Sequence, residues 1–276
     1  MSGTLYVVGT PIGNLGDLSP RGIETLSTVD FIAAEDTRVT RKLCSRFEIH
    51  TPLISYHEHN RQQQGGHIID RLLSGESAAL VTDAGMPAIS DPGEDLVALC
   101  RDHGIPVIAV PGPSAVITAL AVSGLPCGRF CFEGFLSMNR KSRREHLELI
   151  KKEERTMVFY EAPHKLLPTL RDLLDALGDR RISLVRELTK IHEEALRTTL
   201  SEAIVRYTET SPKGEFVLVI EGAAPAPEED GGVPLTQAVE LARSLMEQGQ
   251  SASAAAKEAA SQTGHKKGDI YRLLCE

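Results

Sequence analysis

The sequence contains no run approaching the roughly 18 to 20 uninterrupted apolar residues needed to cross a bilayer, so no membrane contact is expected. It also has no basic leader or cleavage site. MSGTLYVVGTPIGN runs directly into a strand-like segment, and the expected location is cytoplasmic. Cysteine is sparse and unpatterned: Cys44, Cys100, Cys127, Cys131 and Cys275 are odd in number, form no C-x-x-C pair and have no histidine at ligand spacing. A disulfide framework and structural zinc are both excluded by that pattern, and no metal is expected. Positive charge is in deficit too, with 30 Lys and Arg against 38 Asp and Glu, a net charge of −8. A protein that coats nucleic acid through bulk positive potential is therefore excluded, and an RNA would have to meet local basic patches. Two such patches are present: Asn139 with Arg140, Lys141, Ser142, Arg143 and Arg144, and a C-terminal group of Lys257, His265, Lys266, Lys267 and Arg272.

The 276 residues, 41% of them apolar, are enough for two compact domains. Short β-rich runs at 5–8, 31–34, 53–56, 78–82 and 107–110 alternate with helical patterns at 19–27, 40–47, 61–73 and 93–103, the signature of a parallel sheet covered by helices. A second αβ block begins near Gly124. Strands are expected there at 129–133, 156–160, 182–186, 194–198 and 216–220, and helices at 143–153, 165–177 and 201–208, giving a partly antiparallel sheet. The Pro-, Gly- and acid-rich segment 223–234 reads as an exposed linker. Beyond it, 235–248 and 252–263 are helical by composition and 269–274 is expected to begin a third helix. The predicted organisation is an N-terminal α/β lobe (1–123), a C-terminal α/β lobe (124–222), the linker, and a helical module (235–276). Two lobes imply a cleft between them, the usual place for a ligand.

Several loops at predicted strand ends carry chemistry. The stretch from Gly9 through Pro11 and Gly13 to Asp17 follows a strand, as a ligand-approaching turn would. It lacks the Lys-Ser/Thr of a phosphate-cradling loop and the G-x-G-x-x-G spacing of a dinucleotide fold, which disfavours ATP and NAD. A tight βα turn with no ligand accounts for it equally well. The segment from Asp83 to Gly93 is more informative: eleven small, Pro and Asp residues follow an apolar strand at the carboxyl edge of the sheet, where open α/β sheets bind ligands. Pro111 to Ala115 repeats the pattern, with Ser114 placed to cap a helix or face a ligand. Glu35, Asp36 and Arg38, and then His57, His59 and Asn60, end two further strands, where they serve either a site or helix capping. Tyr160, Glu161 and His164, and Arg186, Glu187 and Lys190, are the matching ends in the second lobe. They close over a ligand or form an internal Arg–Glu network.

In this order, GTPIGNLGD, AEDTR, SYHEHN, DAGMPAISDPG, PGPSA, FEGFL, FYEAPHK, RELTK and KGEFVLVIEG resemble the tetrapyrrole methylase superfamily over about the first 220 residues. They resemble the branch acting on ribosomal RNA. The ring-methylating branches carry a GGDP-type loop where this chain has AGMP from Ala84. The resemblance implies a two-lobed α/β fold with S-adenosylmethionine held between the lobes. Its implied contacts are Pro11, Ala84, Met86, Ile89, Ser114, Ala115, Glu161 and Leu188, with Gly85, Tyr160 and Gly214 as neighbours. The implied activity is 2′-O-methylation of a cytidine in 16S rRNA, on naked RNA or the 30S subunit, by a homodimer. A ribose hydroxyl needs a base near neutral pH, for which Asp36, Glu35 and His57 are the candidates, with Arg38 on a phosphate. The competing readings are a methyltransferase of the same superfamily acting on a small molecule or protein, and a noncatalytic RNA-binding ribosome factor. Failure to bind S-adenosylmethionine would mark the latter.

Overall fold

The computed structural model describes residues 2–224 and 233–275. Strands β1 (Leu5–Val8), β2 (Phe31–Ala34), β3 (Leu53–Ser55), β4 (Ala78–Val81) and β5 (Val107–Val110) form one wholly parallel sheet in the order β3-β2-β4-β1-β5. Parallel pairing demands a crossover after each strand. These are α1 (Pro20–Thr28), α2 (Thr37–Arg46), α3 (Arg61–Leu73) and α4 (Glu94–Asp102). Alternate residues of one strand go to opposite faces: Phe31 and Ala33 pack with Leu72 and Leu96, whereas Ile32 and Ala34 pack with Leu26 and Cys44. All five strands end at the same edge. The chain order reverses around β1, which is flanked by β4 and β5, and such a reversal opens a crevice at the carboxyl ends.

Helix α5 (Ala115–Ser123) is apolar on every side and is capped by Ser114, whose hydroxyl accepts from the Ile117 amide. Its Val116, Ala119 and Leu120 pack on Val158, Val185 and Val217 of the second sheet. By packing, α5 thus belongs with the second lobe, and the change of lobe comes ahead of it rather than after residue 123. The second sheet comprises β6 (Phe130–Gly134), β7 (Thr156–Glu161), β8 (Arg181–Arg186), β9 (Glu194–Thr199) and β10 (Phe216–Ile220), in the order β6-β7-β10-β8-β9. Only β6 and β7 run parallel; the β10 and β9 pairings are antiparallel, the mixed sheet expected from sequence. Helices α6 (Arg140–Ile150), α7 (Leu166–Leu177) and α8 (Leu200–Glu209) cover its other face.

Residues 1–223 form one compact unit and 224–276 another. The middle of the expected linker, 225–232, lies outside the described residues. The second unit contains α9 (Leu235–Glu247), α10 (Ala252–Thr263) and α11 (Lys267–Cys275), packed through Ala238, Ala242, Ala255, Ala256, Ala259 and Ile270. The small alanines let helices approach closely while burying little apolar area. No described helix is long and apolar enough to cross a membrane.

Candidate active site

The carboxyl edge of the first sheet and the loops of the second enclose a cavity of about 360 Å³, within the size range of small-molecule sites. The first sheet contributes Ile12, the segment Ala84, Gly85, Met86, Ile89, Ser90 and Asp91, and Ser114 with Ala115. The second contributes Phe135, Tyr160, Glu161, Val185, Glu187, Leu188, Lys190 and Val217 among others. Two loops reach this position only through unfavourable backbone. Among the described residues, five non-glycines have positive φ, and four of them, Ala88, Ser90, Glu187 and Thr189, lie in the loops that line the cavity. Side chains seldom adopt that region, and such strain concentrates at ligand sites.

Close backbone approach joins the turns beside the cavity. A Cβ on Gly112 would lie 2.7 Å from the Gly9 Cα, so the turns after β1 and β5 touch only because neither residue has a side chain. Thr10 and Gly85 exchange backbone hydrogen bonds of 2.9 and 3.1 Å, fixing the turn after β4 to the turn after β1.

The polar groups are unevenly charged. Lys190 bridges Glu187 at 3.0 Å and Glu215 at 3.2 Å, and this pairing holds the Glu187 carboxyl below its ordinary range. Gly214 does not line the cavity. With φ of +81° it leaves room for the Glu187 side chain, which a Cβ there would strike, and Glu187 Oε1 accepts from the Glu215 amide at 3.1 Å. Asp91 is pushed up to about 6 by burial and by the nearby carboxylates of Glu35 and Asp83. Asp83 is also raised, through loss of water and the Glu35 charge. No group of three or more metal-binding side chains occurs among the described residues.

The residues expected from sequence divide into three sets. Ala84, Gly85, Met86, Ile89, Ser114, Ala115, Tyr160, Glu161 and Leu188 line the cavity together. Pro11 faces a second, smaller cavity instead. Glu35, Asp36, Arg38 and His57 line neither, although they sit at the same sheet edge. Asp36 caps α2 by accepting from the Arg38 amide at 2.8 Å, and its other oxygen binds the Arg38 guanidinium at 2.6 Å. That guanidinium holds its carboxyl down at about 2, which makes it a feeble base. His57 donates its amide to Asn60 Oδ1, and its buried Nδ1 has no partner among the described residues. Asp91 and Phe135 lie in the segments DAGMPAISDPG and FEGFL but are not among the expected site residues; the fold brings their two loops to one cavity, which neither segment shows by itself.

A model of the Tetrapyrrole (Corrin/Porphyrin) Methylases matches residues 4–204. The chain belongs to the tetrapyrrole methylase family. Within it, the chain falls in the group named ribosomal RNA small subunit methyltransferase I. The member from Synechocystis is 50% identical over 99% of this chain and 98% of its own length. The member from Thermotoga maritima is 49% identical over 80% of this chain and 99% of its own. The fold is that of uroporphyrin-III-C-methyltransferase from Thermus thermophilus, with a TM-score of 0.55 at 18% identity, over 79% of this chain and 94% of that one.

The methyltransferase uses S-adenosylmethionine, and the cavity suits it. Ile12, Phe135, Tyr160, Leu188 and Val217 offer apolar and aromatic surface for an adenine, and the bared backbone around Gly85 suits ribose hydroxyls and a carboxylate. Asp91, Glu161, Glu187 and Glu215 outnumber Lys190, a balance that favours a cation.

Proposed function

We propose that this chain methylates the ribose 2′-oxygen of a cytidine in 16S rRNA, as free RNA or within the 30S subunit. The observation that carries the reading is Asp91: a half-buried carboxyl lining the cofactor cavity close to Glu35 and Asp83, which with burial push it up to about 6, toward the range a base for a ribose hydroxyl needs. The identity with relatives named for small-subunit rRNA over nearly their whole length supports the substrate class.

When bound, the cofactor supplies an activated methyl on a positively charged sulfur, so the protein's task is alignment and exclusion of water. Asp91, lining the cavity, would take up the proton that the ribose hydroxyl gives up on methylation. Glu35 accepts from the Thr82 hydroxyl at 2.6 Å and from the Asp83 amide at 3.3 Å, and it acts as a positioning residue that raises the basicity of Asp91. Asp36 and Arg38 form the N-terminal cap of α2, and the exposed guanidinium is available to a phosphate. An acidic cavity favours the cationic donor over its neutral thioether product, which assists exchange after each turnover.

Exposed Arg140 and Arg144 have no ion-pair partner among the described residues and supply RNA contacts, whereas Arg143 is committed to Asp172 at 2.6 Å. In the C-terminal unit, Lys257 and Lys266 are exposed, while Lys267 bonds to Ser253 and Arg272 to Asp269. A second copy of the chain fits the uncovered edge of the first sheet, where Val107 and Ile108 on β5 and Ile117 on α5 are exposed. An rRNA substrate implies a cytoplasmic enzyme.

The test is transfer of tritium from labelled S-adenosylmethionine to naked 16S rRNA, to 30S subunits and to a uroporphyrinoid, with nuclease mapping of the product. Label in 2′-O-methylcytidine is expected. Label on the tetrapyrrole alone, or on none of the three, overturns the proposal.

A further inference from the structure

A second cavity, of about 250 Å³, lies on the other side of the Thr10–Gly85 bridge, between the turn after β1 and helix α2. The partition is one stretch of backbone: Thr82 and Asp83 line the smaller cavity, and the next three residues line the larger. The smaller cavity is walled by Pro11, Leu15, Val39 and Leu43. It falls below the roughly 300–1,000 Å³ of sites for drug-sized molecules, room for one heterocyclic ring rather than a whole nucleotide.

One polar group in that wall is unexplained. Thr40 is 2% exposed, and its hydroxyl has no hydrogen-bond partner among the described residues. A helical Ser or Thr ordinarily satisfies itself on the carbonyl one turn back, as Ser45 does on Arg41 at 2.8 Å along the same helix and Thr118 does on Ser114 at 2.7 Å. The Thr40 hydroxyl does not make that bond. Thr40 borders the cavity with its hydroxyl turned into the protein, and rotation about its Cα–Cβ bond would bring that unpaired, costly group to a ligand.

The exposed side of the same helix is cationic, and its Lys42 also borders the second cavity. Arg38, Arg41, Lys42 and Arg46 recur at spacings of three and four, so they share one side of α2, and all are exposed. The helix has no acidic residue, in a chain whose net charge is −8.

We propose that this second cavity receives the unstacked base of the acceptor nucleotide, with the basic face of α2 holding the flanking phosphates. The inference rests on the RNA-methylating reading. A flat ring fits between Pro11, Leu15, Val39 and Leu43, its hydrogen-bonding edge completes the Thr40 hydroxyl once this turns toward the cavity, and the phosphates lie where positive charge is gathered. Its ribose then falls at the Thr82–Asp83 partition, between base pocket and cofactor cavity. Chemistry on a nucleotide held this way requires the base to leave its stack, which suits a loop or single strand over a continuous duplex.

The experiment uses the full-length protein with 30S subunits and naked 16S rRNA. Leu43→Trp fills the cavity, and Thr40→Val removes the hydroxyl at nearly constant volume. Both are expected to keep S-adenosylmethionine affinity; Leu43→Trp should keep the melting temperature and Thr40→Val should keep or raise it, because an unsatisfied buried hydroxyl is removed, which controls for folding. Loss of stacking and of one base hydrogen bond should raise KM for RNA by about 10- to 100-fold. Arg41→Ala with Lys42→Ala should make the dependence of log affinity on log salt shallower by about 1.4. Independently of turnover, saturation-transfer NMR with cytidine 5′-monophosphate should mark the base protons in the wild type and not in Leu43→Trp, while ribose 5-phosphate shows no such difference. If the wild type methylates RNA and both cavity variants do so with unchanged KM, the base pocket is overturned and the rRNA reading stands. If the wild type transfers no methyl to RNA, that reading fails. The pocket then stands or falls on whether the nucleotide's base protons are marked.

Discussion

The Thr82 hydroxyl donates to Glu35 Oε2 at 2.6 Å and so ties the end of β4 to the end of β2. Glu35 is thereby held beside Asp83 and Asp91, both of which it pushes upward. Glu35→Gln keeps an acceptor for Thr82 and removes the charge. The acid limb of the pH profile of kcat/KM should move to lower pH in this variant. An unmoved limb would show that Glu35 does not act through Asp91.

Asp91 itself should govern that limb. With its carboxyl near 6, wild-type activity is expected to rise with pH through that value as the base ionises. Asp91→Asn should lower kcat by about 10²- to 10⁴-fold and flatten the limb. S-adenosylmethionine titrations on the same variant separate a lost base from a lost cofactor contact.

The same residue should cost stability where it is most useful. Its folded pKa, about 6, lies above the ordinary 3.8, so relative stability is full below the lower value and is lost as pH rises through the upper one. Asp91→Asn has no proton to lose. Its melting temperature should match the wild type near pH 3.5 and exceed it increasingly between about pH 4 and 6, with the gain persisting at pH 8.

Gly214→Ala places a side chain at φ +81°, where it would strike Glu187. The variant should lose about 1–3 kcal/mol in denaturant unfolding, with weaker cofactor binding as Glu187 is displaced from the cavity wall. Unchanged cofactor affinity in a destabilised variant would assign Glu187 a purely structural role.

The chain ending at Ala223 should fold and bind S-adenosylmethionine with unchanged affinity. Residues 1–223 form their own compact unit, and the Thermotoga maritima relative is matched over 99% of its length by only 80% of this chain. Isothermal titration decides the point, and a loss of binding would give the C-terminal helices a part in the cavity.

Much of the fold is legible because it is written locally. Four apolar runs, at β1, β2, β5 and β10, have the bounds their composition predicts, and the alternation with helices implies the parallel sheet. Helix starts are less legible, since a polar side chain decides them. Asp36 starts α2 three residues ahead of the expected 40, and Asn139, accepting from the Lys141 and Ser142 amides, starts α6 three ahead of the expected 143. The site was legible as a set of strand ends, because parallel strands deliver their carboxyl ends to one edge. Which loop residue faces which cavity is not a local property. Pro11 and Ile12 are neighbours in sequence and line different cavities, and the turns at Ala88 and Glu187 use positive φ without a glycine to announce it.

Gly9 and Gly112, back to back where the turns after β1 and β5 meet, hold each other in place in a second sense. Neither position can accept a larger residue while the other backbone remains where it is, and shrinking one cannot compensate for enlarging the other, because both are already at the minimum. The usual route of paired core exchange, small for large against large for small, is closed at this contact. Anyone reshaping this methyltransferase to accept a bulkier methyl donor will have to leave these two turns alone or rebuild them together.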